Sequence, residues 1–272
     1  MPRVRGRGYG FAVPDELLGA LIAFCIAVAT TPAGVSGAVF LLPVQVSVLG
    51  IPSPAVTPTN LLYNVVATPG ALARFRRDGR LGGPLVRAVM LGALPGVVVG
   101  ALLRVEVLDG PEAFLLVVAA VLVPLGLFLA STDPPREDAR AGGARGVPAR
   151  VSGLAAGVGI VGGIYGIGGG SLIGPILVAM RFAPREVVPA AIAATFATSL
   201  VGVAAFTALD ALGRAGEAAP DWGLGLLLGA GGLAGSYAGA ALQERVPERL
   251  LRRGLGAVAV VLGIYYVAKV IA

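Results

Sequence analysis

LLGALIAFCIAVATTPAGVSGAVFLLPVQVSVLGIPSPAVTPTNLLYNVVATPGALA, from Leu17 to Ala73, is a run of 57 residues without one charged side chain. A soluble domain cannot hide such a stretch, because its surface must meet water. A membrane can. A helix needs about 20 apolar residues to span the hydrocarbon core, so this run alone has room for two or three crossings. The bilayer is therefore the solvent in which the rest of the chain has to be read.

Composition agrees. Hydrophobic residues make up 56% and charged residues 13%, with a mean hydropathy of +0.87; soluble domains carry about 25% charged residues. The 42 glycines and 20 prolines suit a membrane bundle, where small residues let helices approach and broken helices are tolerated if protein covers the freed backbone. The net charge of +6 is no sign of nucleic-acid binding: the arginines sit in short clusters between apolar runs, where the positive-inside rule expects them. Cys25 stands alone, so there is no intrachain disulfide or cysteine metal cluster, and the chain has no histidine for imidazole catalysis, metal binding or proton relay. No metal or cofactor is expected. The first apolar run continues into more apolar sequence with no clear cleavage site, which reads as a retained segment rather than a signal peptide.

Eight hydrophobic blocks follow one another: 17–49, 55–73, 85–103, 113–131, 151–180, 187–209, 222–242 and 251–271. The polar connector 132–150 divides them into a first repeat, 1–131, and a second, 151–272. The halves resemble each other. Gly34 to Pro43 lies over Gly166 to Pro175, Pro52 falls on Pro184, and after a four-residue gap Thr59 falls on Thr195. Gly92, Gly96 and Gly100 repeat as Gly231, Gly235 and Gly239; a spacing of four puts each set on one helix face, as a close-packing surface. Blocks one and five are too long for one ordinary helix. Each is interrupted, at Thr30 to Gly37 and at Gly162 to Ser171, by the residues that break helices. The expected fold is an all-α polytopic membrane protein in two repeated halves, with two helices broken inside the membrane.

Arginine placement bears on topology. Arg74, Arg76, Arg77, Arg80 and Arg87 make one loop strongly basic, while its counterpart, 210–221, has only Arg214. The loop from Arg104 to Glu112 has one arginine; its counterpart has Arg245, Arg249, Arg252 and Arg253. Equivalent loops thus carry opposite bias, which points to inverted halves, each with five segments if a broken block counts as two. Arg3, Arg5 and Arg7 would then lie outside. A plain eight-span arrangement with the N-terminus inside seats those three but strands the four arginines before the last span.

All Asp and Glu residues fall outside the blocks, and Lys269 lies near the end of the last one. A site within the membrane must then use backbone dipoles, hydroxyls and amides. Helix N-termini at a break offer unpaired N–H groups and the positive end of the helix dipole, and broken helices use such ends to hold anions near the midplane. Gly168, Gly169, Gly170 and Ser171 suit that role, with Ser36 and Gly37 in the matching place. The same glycines would also serve tight helix crossing alone. No strand precedes them and no Gly-Lys-Ser/Thr follows, so they are not a nucleotide loop. Thr59, Asn60 and Asn64 carry polar groups into block two; Asn60 and Asn64 share a face and each needs a partner there. They serve either as interhelical glue or as the lining of a substrate path. Thr195, Thr198 and Ser199 are their second-half equivalents, and Gln45 is a further candidate. Trp222, Tyr265 and Tyr266, near block ends, read as interfacial anchors.

Gly166-Ile-Gly-Gly-Gly-Ser-Leu-Ile-Gly-Pro175 and Pro58-Thr-Asn-Leu-Leu-Tyr-Asn64, set in two four-block halves, resemble the TauE/SafE family of sulfite-exporter-type membrane transporters. The first half departs from the glycine pattern, with Ser36-Gly37-Ala38 in place of Gly168-Gly169-Gly170. The resemblance implies transport of a small sulfur-containing anion, sulfite or an organosulfonate. The expectation is then a secondary transporter in the plasma membrane of a prokaryote, with lipid and a small anion as its partners. The anion would bind among Ser36, Gly37, Thr59, Asn60, Asn64, Gly168, Gly169, Gly170, Ser171 and Thr195, and access would alternate as one half rocks against the other. An anion channel and a non-transporting scaffold or assembly factor are the alternatives. An enzyme is not expected, since it would need a nucleophile, an acid/base pair or a metal set.

Overall fold

A computed structural model describes residues 13–31, 35–108, 110–132, 149–216, 218–242 and 247–271. Pro32, Ala33 and Gly34 of the first interruption, most of the 132–150 connector, Arg245 and the N-terminal arginines lie outside the described residues. The described residues form helices and no strand: α1 (Val13–Thr30), α2 (Ala38–Ser47), α3 (Ser53–Ala67), α4 (Pro69–Arg77), α5 (Pro84–Glu106), α6 (Pro111–Ser131), α7 (Ala149–Tyr165), α8 (Gly170–Ala179), α9 (Pro184–Ala211), α10 (Trp222–Leu242) and α11 (Glu248–Ile271). Proline opens α4, α5, α6 and α9, at the one helical position where its missing N–H costs nothing. The spans Pro84–Glu106, Pro111–Ser131, Arg185–Ala211 and Arg249–Ile271 are long and apolar enough to cross a membrane.

Blocks one and five each become two helices, α1/α2 and α7/α8, as their glycines and prolines require. Three expectations are corrected. Block two is not one helix: Pro69 cannot continue the ladder, so α3 stops at Ala67 and α4 starts after Thr68. Arg104 is not in a loop: α5 runs on to Glu106 and buries it, 1% exposed. Tyr266 is not an interfacial anchor: it is buried, and its hydroxyl lies 3.0 Å from Ser47 Oγ and donates to the Pro43 carbonyl at 3.3 Å. Trp222 and Tyr265 are exposed.

The glycine sets form two seams. A Cβ at Gly92, Gly96 or Gly100 would lie 2.0, 2.3 and 2.2 Å from the carbonyl oxygens of Ser152, Ala156 and Ile160. Both series ascend together, so α5 and α7 run parallel, backbone against backbone. Gly231, Gly235 and Gly239 meet the carbonyls of Ala20, Phe24 and Val28 in the same way, so α10 and α1 also run parallel. Along α3 and α10, Leu62 meets Gly225 and Val66 meets Gly229, again in parallel. By contrast Gly126 and Ala130 of α6 meet Gly256, and Val123 meets Gly263, so α6 and α11 are antiparallel. The end of α5 meets the start of α6, where Arg104 lies over Phe114, so α6 reverses the direction of α5 and the antiparallel α11 restores it. Taken together, α1, α3, α6 and α10 run toward one face, and α5, α7, α9 and α11 run toward the other.

The ends of the helices sort the charges. One face holds Arg76, Arg77 and Arg80 at the end of α4, Arg87 at the start of α5, Arg150, Arg181 and Arg185 beside α7 to α9, and Arg249, Arg252 and Arg253 in α11, with Asp78 and Glu186 among them. Arg80 donates to the Arg185 carbonyl at 3.0 Å, a group left without its helical donor by Pro189. The opposite face holds Arg104, Lys269 and Arg214, the last paired with Glu106, together with Glu16, Glu112, Asp210 and Asp221.

Candidate functional site

Both breaks sit at mid-height. At the first, Gly37 is the N-cap of α2, and a Cβ on it would lie 2.5 Å from the Tyr63 hydroxyl and 3.5 Å from Thr30 Oγ1. The Tyr63 ring lies against Gly232, near the middle of α10. At the second, Gly169 caps α8 and faces Ala93, near the middle of α5. From there α2 descends toward the start of α1, where Leu49 meets Gly19, while α8 leads to Arg181 on the arginine face. The two half-length helices thus point their N-termini, the positive ends of their dipoles, into the centre.

The first break is built on α3. Ser36 Oγ donates to Asn64 Oδ1 at 3.2 Å and accepts from the Ala38 N–H at 3.3 Å. Asn60 Nδ2 donates to the Ala38 carbonyl, and Gln45 Nε2 donates to Asn60 Oδ1, both at 3.0 Å. Asn60 is therefore glue between α2 and α3. Asn64 Nδ2, Thr30 Oγ1 and Gln45 Oε1 are buried without a hydrogen-bond partner, which is unusual enough to need a reason.

The second break is tied down. Gly166 and Gly168 adopt φ of +84° and +69°, a region that only glycine enters without strain. The Gly169 N–H donates to Thr198 Oγ1 at 3.0 Å, Thr198 Oγ1 donates to the Ala194 carbonyl at 2.6 Å, and Ser171 Oγ donates to the Ile167 carbonyl at 3.2 Å. A Cβ at Gly170 would fall 1.7 Å from the Ala191 carbonyl oxygen and 2.2 Å from Thr195 Oγ1. These glycines do serve a tight crossing of α8 on α9. The backbone N–H groups of Gly170, Ser171 and Leu172 find no acceptor among the described residues, and Ser199 Oγ, beside Gly168, has no partner.

The breaks are joined. Tyr165 donates to the Val39 carbonyl at 3.0 Å; Pro43, four residues on, has no N–H to give it. Thr57 Oγ1 donates to the Ile164 carbonyl at 2.8 Å and accepts from Arg104 Nε at 3.3 Å. Arg104 also donates to Ser53 Oγ at 2.8 Å and to the Leu108 carbonyl, and its guanidinium lies 4.3 Å from the centre of the Phe114 ring. Thr59 is not brought to the breaks: its hydroxyl donates to the Ala55 carbonyl and accepts from the Asp221 N–H, at the cap of α10. Sequence reasoning missed Arg104, Thr57, Tyr63 and Thr30. An arginine at the end of an apolar run reads as an interfacial residue, and only the approach of α3 shows that it is buried.

A helical bundle with two half-length helices starting inside it is an integral membrane protein of the broken-helix kind. The chain belongs to the sulfite exporter TauE/SafE family, whose model matches residues 19–266. The family consists of membrane transporters for anions rather than enzymes. No curated protein and no solved structure matches the chain.

Proposed function

We propose that this protein is a secondary carrier of a small sulfur-containing anion, of the sulfite or organosulfonate class, in the plasma membrane of a prokaryote. It is built from two inverted repeats, 1–131 and 151–272, and holds the anion where the N-termini of α2 and α8 face each other. The observation that carries this reading is the pairing of two dipole ends at mid-height with groups that donate: Asn64 Nδ2, the hydroxyls of Thr30 and Ser199, and the first-turn N–H groups of α8. None of the hydrogen bonds at either break among the described residues involves a carboxylate. Such a setting favours an anion and repels none. Ser36, Gly37, Gly168, Gly169, Gly170, Ser171 and Thr195 shape the two walls, Asn60 fixes α2 against α3, and Thr59 acts from the α10 cap. The arginine face is cytoplasmic by the positive-inside rule, which places the start of α1 and the end of α11 outside.

The test is uptake into proteoliposomes of labelled sulfite and of a labelled organosulfonate, with acetate and choline as comparison solutes. Saturable flux of the sulfur anions, reduced at least tenfold by Ser171→Leu in a protein that still inserts, is the expected result. Flux of none of them would overturn the carrier reading.

A further inference from the structure

We infer that Thr30, Tyr63 and Asn64, gathered around Gly37, are the residues that discriminate among anions, and that they select a singly charged oxyanion over a dianion. This rests on the carrier reading and specifies its site. Thr30 and Asn64 are 0% and 1% exposed, and Thr30 Oγ1 and Asn64 Nδ2 have no partner. Tyr63, 2% exposed, makes no hydrogen bond through its hydroxyl among the described residues. All three belong to one cluster. Gly37 lies beneath Tyr63 and Thr30, and Ser36, next to it, holds Asn64 by its carbonyl oxygen, which leaves the amide N–H groups unspent.

The two breaks divide the work. Donors at the second are chiefly backbone N–H groups and dipole, which treat any anion alike, with one free hydroxyl, Ser199, beside Gly168, while Ser171 and Thr198 are already committed. The first break has its α2 N–H groups capped by Ser36 and offers side chains instead. Charge selection follows from what surrounds them. Each helix N-terminus is equivalent to roughly half an elementary charge, so two facing ends offset about one negative charge. The desolvation cost of an ion rises with the square of its charge, so a dianion needs more donors than a monoanion, and the free side-chain donors at the first break are few.

The experiment uses purified full-length protein in detergent, with methanesulfonate and sulfate as probes at matched ionic strength, and reads the melting temperature. Methanesulfonate is expected to stabilise the protein at concentrations where sulfate does not. Tyr63→Phe, which removes a hydroxyl, and Thr30→Val, which replaces one with a methyl of similar size, are each expected to weaken methanesulfonate binding about tenfold or more. The ratio of the two anion affinities, measured within each variant, does not depend on that variant's own stability. Equal response to both anions overturns the charge selection. Unchanged affinity in both variants, with loss in Ser171→Leu, overturns the residue assignment and leaves the carrier standing. If neither anion stabilises the unsubstituted protein, the inference and the carrier reading fall together.

Discussion

Gly96→Val tests the seam on which the bundle is built. The first added carbon would lie 2.3 Å from the Ala156 carbonyl oxygen and 3.1 Å from the Gly159 Cα. Comfortable contact between such atoms is about 3.5 Å, so α5 and α7 must part by about 1 Å along their length. A radial gap of that size forfeits about half of each contact well. Overpacking costs about 1–3 kcal/mol, and more where rigid backbone is the obstacle; here both walls are backbone, so the upper end, about 3 kcal/mol, applies. For a chain of this size that lowers the melting temperature by roughly 6–12 °C. Gly235→Val meets the Phe24 carbonyl at the same 2.3 Å and should cost the same within about 1 kcal/mol, given the usual scatter of such values. Gly157→Val is the control: it is on α7, with open space where its Cβ would go. Thermal unfolding of the three purified variants in detergent decides the matter. If Gly96→Val and Gly157→Val melt together, the close approach of α5 to α7 is wrong, and the helix directions derived from it lose their basis.

The join between the breaks makes a coupled prediction. Tyr165→Phe should cost about 1–3 kcal/mol by orphaning the Val39 carbonyl, and much less in a Pro43→Ala background, where the restored N–H satisfies it; equal costs in a double-mutant cycle of melting measurements would deny the link. Orientation is checked by thiol labelling in a Cys25→Ser background. Asp78→Cys should label only from the cytoplasmic side and Leu212→Cys only from outside, and the reverse pattern would overturn the assignment.

Much of this was legible in the sequence, because it depends on residue types with one strong preference. The uncharged run required a membrane, and the glycine and proline clusters required two breaks. Sets of glycine spaced by four required close seams. What the sequence could not tell was which surface each seam met, since a glycine stripe carries no address. Nor could it separate glycines that meet backbone in a tight crossing, such as Gly170, from Gly37, which lies against the hydroxyls of Tyr63 and Thr30. Thr59 and Asn64 looked alike as polar groups entering one helix. They are five residues apart, so they face different neighbours: Thr59 meets the α10 cap, while Asn64 meets the break. Arg104 was misplaced because hydropathy marks where apolar sequence ends and does not show how far the helix continues beneath its neighbours.

The seams also change how movement must be pictured. The carbonyls that receive α10 are at positions 20, 24 and 28, and those that receive α5 are at 152, 156 and 160. The two series are 132 apart, the same offset that lays Gly34 on Gly166, although these carbonyl residues played no part in that alignment. The seams are thus exchanged copies: the glycine helix of each half is seated on the first helix of the other. Rocking one sequence half against the other, as the repeat alone suggests, would have to open both seams at once, backbone from backbone. The side chains group differently. Leu85, Val89 and Ala93 of α5 share one apolar cluster with Val151 and Ala155 of α7, Ile173 and Leu177 of α8, and Val187 and Ala190 of α9. Residues of α1, α2, α3 and α10 belong to another, with residues of α6 and α11 and Tyr165 of α7. A third cluster joins Leu61 and Leu62 of α3 to Ala101 of α5 and to Val203 and Phe206 of α9. Moving α5, α7, α8 and α9 against α1, α2, α3 and α10 keeps each seam intact inside its own group; what it must shift instead is the side-chain packing of α3 on α5 and α9 and the Tyr165–Val39 and Thr57–Ile164 hydrogen bonds. The two breaks then lie in different groups, so on the carrier reading proposed above an anion between them would leave one wall at a time.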